Sequence, residues 1–323
     1  MLSREKYTVG IICAWPFELM AVWATLDEQH GSELQKPGHN TYKFGRIGTH
    51  NVVVACTCTE LEVNGQKPAA IVATHMMRSF PIKFGLIVGI GGGVPSKRKD
   101  IRLGDLVVSQ PNGMHGGLVQ YDYGKMERDG VFQKTGTLNK PPQLLLDAVQ
   151  SVKARHDPGP IELGASLEAM IAKYPDAHFG RPSHEHDELF RESYKHADRS
   201  RTCDSCDKSF LEHRYQSSCR TFIHYGTIAS SKHEVIDAQT RDRFGREQGI
   251  LCLETGAVGL MDTFPCVVIR GVYNYADSHG SRWRESWQLH AAAVAALYAK
   301  TLLLSMPEAD VEAMQPASEA IST

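Results

Sequence analysis

Residues 85–109 read GLIVGIGGGVPSKRKDIRLGDLVVS, and the reading of this stretch decides the fold. An apolar, strand-like run ends in Gly89, Gly91, Gly92 and Gly93, glycines that let backbone N–H groups come close to an anion. A dinucleotide-binding fingerprint would need a further glycine at the right offset and a helix immediately behind it. Here Pro95 and the polar SKRKD lead into a second strand-like run, and no Walker-type lysine and serine pair follows at the required spacing. The stretch is therefore a glycine-rich strand end in an α/β protein of another kind. Its plain alternative is a tight glycine turn that holds no ligand.

Outward from this centre, short apolar runs alternate with helical periodicity. Strands are predicted over residues 7–14, 51–57, 84–89, 105–109, 222–229, 250–254 and 266–271, most of them without the polar alternation of a half-exposed sheet. Helices are predicted over about 16–29, 67–80, 142–155, 234–248 and 287–304. This alternation implies one α/β domain, residues 1–305, with a mixed, twisted central sheet flanked by helices. Ligands in such sheets sit beyond the carboxyl ends of the strands. Residues of about 180–221 are polar and rich in His and Cys and read as an insertion, and 306–323 reads as a disordered tail.

The chain has 323 residues, 42% of them hydrophobic and 22% charged, with a formal charge of −2. That balance gives no electrostatic case for binding nucleic acid or an anionic membrane. The start, MLSREKYTVGIICAW, lacks the apolar core of a signal peptide, and no run of about 18 apolar residues occurs. Of eight cysteines, Cys13, Cys56, Cys58, Cys252 and Cys266 lie in or beside apolar runs. Such usage suits a reducing compartment, so a cytoplasmic location is expected.

Two further stretches carry polar groups to strand ends. GIICAWPFELMAV (10–22) turns at Pro16 into a helix with Glu18 in its first turn, where the helix dipole alone would favour an acid. Residues 223–280 bring Ser230, Glu254 and Asn274 towards one edge, and GVYNYADSHG (271–280) closes the series. Taken in order, GIICAWPFE, GIGGGVP with IRLGDLVVS, QYDYGK, TGTLNKPP, HYGTIAS, LETGAVGLM and VIRGVYNYADSH resemble the purine nucleoside and uridine phosphorylase superfamily, which includes the methylthioadenosine and adenosylhomocysteine nucleosidases. The likeness is greatest to its fungal-type domains and runs from about Tyr7 to Leu304.

The resemblance implies a nucleoside phosphorylase-like fold and cleavage of an N-glycosidic bond through an oxocarbenium-like ribose, attacked by phosphate or by water. It implies that Glu18 activates the nucleophile, that the loop with Gly91 and Gly92 lies beside it, and that Arg46 contacts phosphate or ribose; a solvated turn charge is the alternative for Arg46. Ser230, Lys232 and His233 fall in the base-contacting stretch, and the lysine and histidine stand where relatives often carry uncharged amides. The QYDYGK stretch is either a wall of the pocket or a packed aromatic turn. No cofactor is implied beyond phosphate as a co-substrate; a nucleoside-like ligand and a homo-oligomer are.

Two departures set this chain apart. The family segment resembling EMEAAG carries two glutamates, the second gripping the ribose hydroxyls; here Glu254 is followed by Thr255 and Gly256, so that carboxylate is missing. A hydrogen bond to a charged group is worth about 1.5 to 3 kcal/mol, and glycine offers none. Asn274 stands where the family's proton-donating aspartate is expected. It can hydrogen-bond a leaving base but cannot deliver a proton, a contribution of about 10²- to 10⁴-fold. Asp277 reads as an ordering residue. The alternative to an active enzyme is thus a diverged member that binds a ligand or handles another small molecule. In the insertion, Cys203 and Cys206 form one CxxC, with Cys219, His184, His186, His196, His213 and His224 nearby. Zinc wants four ligands and only one clean pair is evident, so no metal site is assigned: free surface thiols are the expected reading, and a structural zinc held by Cys203 and Cys206 is the alternative.

Overall fold

Why the apolar runs become buried strands is visible in their two faces. Val9, Ile11 and Cys13 point into one core with Val52, Val54, Leu86 and Val88, whereas Ile12 points into a second core with Val53, Ala55, Ile87 and Val268. Both faces of the sheet are covered, so the period of two survives as a division between two apolar layers and not as an alternation of polar and apolar.

The computed structural model describes residues 2–31, 40–57, 69–113, 115–121, 124–126, 132–134, 138–156, 163–196, 202–214, 220–231, 233–257, 259–261, 263–279 and 284–320. The strands are β1 (Val9–Cys13), β2 (Glu28–His30), β3 (Tyr42–Ile47), β4 (His50–Cys56), β5 (Phe84–Gly93), β6 (Leu106–Ser109), β7 (Leu118–Gln120), β8 (Gly124–Met126), β9 (Phe132–Lys134), β10 (Ile223–Ser230), β11 (Ile250–Glu254) and β12 (Cys266–Asn274). The helices are α1 (Pro16–Thr25), α2 (Ala69–Ser79), α3 (Gln143–His156), α4 (Leu163–Lys173), α5 (Ala238–Gln248), α6 (Arg284–Leu304), α7 (Glu308–Ala313) and α8 (Ala317–Ala320). The main sheet runs β11-β10-β6-β12-β5-β1-β4-β3-β2, β7 adds to β10, and β11 also pairs with β5. It is mixed: β1, β4, β5 and β12 are parallel, while β6–β12, β11–β5 and the β2–β3–β4 ribbon are antiparallel.

Three expectations change. β5 does not stop at Gly89 but continues through Gly93, where Leu253 and Cys252 of β11 pair with Gly92 and Gly93. The glycines serve close packing of strands: a Cβ on Gly92 would sit 2.8 Å from Asn274 Oδ1 and from Ala276 Cβ. Second, the chain after Met306, expected to be loose, folds back as α7 and α8, with Val311 and Ala317 buried and the Ala317 N–H donated to the Ile82 carbonyl at 2.7 Å. Small apolar residues there found a shallow seat that composition does not reveal. Third, β2, β3, β7, β8, β9 and α4 were not foreseen, being short or half-polar.

The 21-residue α6 lies against β12 and β5 through the small side chains of Ala291 to Ala296, which are buried. Gly271 of β12 meets the Ala291 carbonyl so closely that a Cβ would overlap it. Gly271→Ala is expected to cost about 1–3 kcal/mol by overpacking, read as a lowered urea midpoint; an unchanged midpoint would show that the helix can back away. Among the described residues no single helix is long and apolar enough to cross a membrane.

Candidate functional site

The parallel strands β1, β4, β5 and β12 all present their carboxyl ends on one side, and the polar groups gather there. After Cys13 the chain leaves the sheet and Pro16 starts α1, with Trp15 at its N-cap and Glu18 in its first turn. One Glu18 oxygen, Oε2, accepts the N–H groups of Ala14 (2.7 Å) and Trp15 (3.0 Å), which is ordinary helix capping. The other, Oε1, crosses to β5 and accepts the Ile90 N–H at 2.8 Å. The β1–β5 ladder ends at Ile12 and Ile87, and Glu18 takes up the strand where β1 leaves it. The side chain is 1% exposed. Burial pushes its pKa upward, against the pull of Arg270 and of the three N–H groups.

Arg270, on β12, is the residue that sequence reasoning missed. It is 2% exposed and donates to the Glu254 carboxylate at the end of β11. Glu254 also accepts the N–H groups of Gly256 (2.7 Å) and Ala257 (3.1 Å). Gly89 has no room for a side chain because Glu18 and the Arg270 guanidinium already fill that space. The result is one buried cluster, Glu18, Arg270 and Glu254, packed over the backbone of Gly89. Arg270 Nε and the hydroxyl of Ser230, which pairs with Glu254 across β10 and β11, are buried with no hydrogen-bond partner among the described residues. Unsatisfied groups of this kind are costly and call for an explanation. A charged residue inside the apolar run FPCVVIR was the available signal.

Gly256 and Thr255 are half-buried beside this cluster, and a Cβ on Gly256 would lie 3.2 Å from Arg270 and 3.4 Å from Glu254. Asn274 stands opposite Gly92 on β12, next to the cluster. Its Oδ1 accepts the Ala276 N–H at 3.1 Å, so its amide nitrogen faces Glu234 Oε1 at 3.4 Å. Glu234 in turn accepts from Tyr273 (2.8 Å) and Arg284 (3.5 Å). Ala276 holds a left-handed φ of 50°, a strained turn that fixes where Asn274 points. His233 is exposed, and its carbonyl accepts from Tyr121 (2.9 Å) and Ser231 (2.6 Å), so Tyr121 of the QYDYGK stretch braces this segment.

The structure thus brings Glu18, Gly91, Gly92, Ser230, Glu254, Thr255, Gly256 and Asn274 to one edge. It does not bring Arg46 there. Arg46 sits on β3 opposite Asn51, at the amino end of β4, on the rim away from Glu18. It pairs with Glu28 and donates to the Gly48 carbonyl at 2.9 Å, a surface ion pair across the β2–β3 ribbon. The antiparallel return of β3 carries it to the wrong end of the sheet. Lys232, Cys58 and Cys219 lie outside the described residues, as do parts of QYDYGK and TGTLNKPP. Asp277 accepts from Arg241 at 3.2 Å and from the His279 N–H at 2.9 Å, contacts that order the segment.

Comparison with known proteins gives three findings. The model of the phosphorylase superfamily matches residues 8–192. A nucleotide-binding leucine-rich repeat (NLR)-like protein of Hyaloscypha variabilis is 41% identical over 305 residues, covering 94% of this chain. The chain spans about 30% of that relative's length. Among solved structures, futalosine hydrolase of Helicobacter pylori superposes with a TM-score of 0.59 at 16% identity, over 93% of this chain and 99% of that one. The 5′-methylthioadenosine/S-adenosyl homocysteine nucleosidase of the same organism gives 0.59 at 16%, over 94% and 100%. At such identities the likeness concerns the fold.

Proposed function

The chain belongs to the phosphorylase superfamily, and from that premise we propose that its carboxyl-edge cluster cleaves the N-glycosidic bond of a nucleoside-like substrate. The observation that carries this reading is Glu18: a buried carboxylate held by three backbone N–H groups at the strand edge, over the side-chain-free surface of Gly89. A carboxylate offers about four acceptor positions, so one remains to orient and deprotonate a nucleophile. Water suits that role better than phosphate. Glu18 and Glu254 together outweigh the single charge of Arg270, and Arg46 is on the far rim, so the cluster repels an anion. Phosphate as a co-substrate is the less favoured form of the same reaction.

Asn274 hydrogen-bonds the leaving base in this scheme, and the ribose lacks the carboxylate that a glutamate at position 256 would supply. One observation favours a second reading, that the domain binds its ligand without cleaving it: the Asn274 amide is already committed to Ala276 and Glu234. Purified protein is to be incubated with purine nucleosides and nucleotides, with and without phosphate, and free base measured by chromatography. Base release that does not depend on phosphate is expected; binding without release would replace the proposal by the second reading.

The double substitution Gly256→Glu with Asn274→Asp tests the residue roles. At position 256 a Cβ would lie 3.2 Å from Arg270, which need give by only a few tenths of an ångström to admit that atom. An aspartate at 274 would face Glu234, and two close carboxylates raise one another's pKa, which favours a protonated acid. Base release is expected to rise about 10²-fold, the lower end for general acid catalysis. No rise in a folded variant would count against these two assignments.

A further inference from the structure

The insertion contains a second polar cluster that the proposed reaction does not use. Cys203 and Cys206, paired in a tight turn by the Cys206 N–H to the Cys203 carbonyl (3.2 Å), meet His279 and His196. One donor atom from each of the four lies within 4.8 Å of the others. Both sulfurs are 3.8 Å from His279 Nδ1. A tetrahedral ion with S at about 2.3 Å and N at about 2.05 Å would hold such atoms about 3.6 Å apart.

The tautomers agree with this. His279 Nε2 lies 3.0 Å from the Tyr194 carbonyl and His196 Nε2 lies 2.9 Å from the Thr202 carbonyl. A carbonyl only accepts, so each Nε2 carries the hydrogen and each Nδ1 carries a lone pair. Metal-bound histidines are oriented in this way by backbone carbonyls. An apolar shell completes the arrangement: Phe190, 1% exposed, stacks on His279 at 4.1 Å, and Tyr194 stacks on it at 5.5 Å. Both cysteines are buried and unbridged. Two thiols and two imidazoles converge in one apolar pocket, and a tetrahedral S₂N₂ set is one that suits zinc.

We propose that His196, Cys203, Cys206 and His279 bind one structural zinc ion, which ties the insertion to the segment carrying Asn274. All four positions of the ion are filled by protein, so it has no open site for chemistry. Binding displaces one proton from each thiol. The spacing in sequence concealed the site, because His279 is 73 residues beyond Cys206.

Untagged protein from zinc-replete cells, purified without chelators, is expected to carry about one zinc per chain by plasma mass spectrometry. The Cys203→Ser, Cys206→Ser double variant is expected to lose it. Since that variant can fail for reasons of folding, wild-type protein stripped of metal and refilled with Co(II) provides the second measurement. It should show the strong visible bands of tetrahedral cobalt with a thiolate charge-transfer band. Metal-free wild-type protein that also gives no such spectrum would overturn the proposal. So would zinc retained undiminished in the double variant, or a Cys203–Cys206 disulfide in protein isolated with its thiols trapped.

Discussion

Glu18→Gln is expected to lower base release by about 10²- to 10⁴-fold, the usual contribution of a general base. The amide must keep its carbonyl towards Ala14 and Trp15, since both donate to the same oxygen, and so its NH₂ faces the Ile90 N–H. One buried donor is then unsatisfied, at about 1–3 kcal/mol. A urea titration separates that cost from the loss of rate. The pH profile separates them further: burial raises the Glu18 pKa, so its base form is lost as pH falls through a value above that of an ordinary carboxylate. The acid limb of kcat/KM should therefore lie higher than the 4.5 typical of a free glutamate. A folded Glu18→Gln protein with undiminished rate would remove Glu18 from the mechanism.

Arg270→Met is expected to be the most destabilising single change, by about 3–5 kcal/mol, because it strands charge in a closed interior. Glu254 would keep the Gly256 and Ala257 N–H groups but lose its cation, and Glu18 would lose the positive charge that opposes its burial. Methionine approximates the volume, so the deficit is electrostatic. Adding Glu254→Gln to Arg270→Met should recover part of the loss, since the amide keeps an acceptor for the two N–H groups. The measurement is the urea midpoint of each variant; a change of under about 0.5 kcal/mol, as at a neutral surface position, would mean the pair is not held as described.

The central strands were legible because runs such as VGIIC and ILCLE are buried on both faces and carry little else. Their layering follows from that burial alone. The short β2 and β3 were not legible, since β2 has three residues and none of them buried, and β3 mixes buried and exposed positions without a regular period. Glu254 could be found because it closes an apolar strand, whereas Glu18, in the first turn of α1, was singled out only through the family resemblance. Arg270 was hidden by the opposite circumstance: it lies within a strand, and its partners come from residues 16 and 252 positions away in the chain. Arg46 shows the converse failure. A motif placed it near an anion, but register decides which end of a sheet a residue reaches, and register is not written locally.

The pairing of β11 with β5 has a further consequence, for how the molecule meets other molecules. Strands β5, β12, β6, β10 and β11 form a closed ring, so β11, which an open sheet would leave as a terminal strand, gives its outward backbone groups to Gly92 and Gly93. An unpaired flank here would be a long apolar template for another chain's strand. The opposite end of the sheet stops at β2, only three residues long and bearing Glu28 and His30, a margin too short and too polar to recruit a neighbour. The contact that seats Glu254 against Arg270 therefore also keeps the glycine-rich half of the sheet from becoming an adhesive edge.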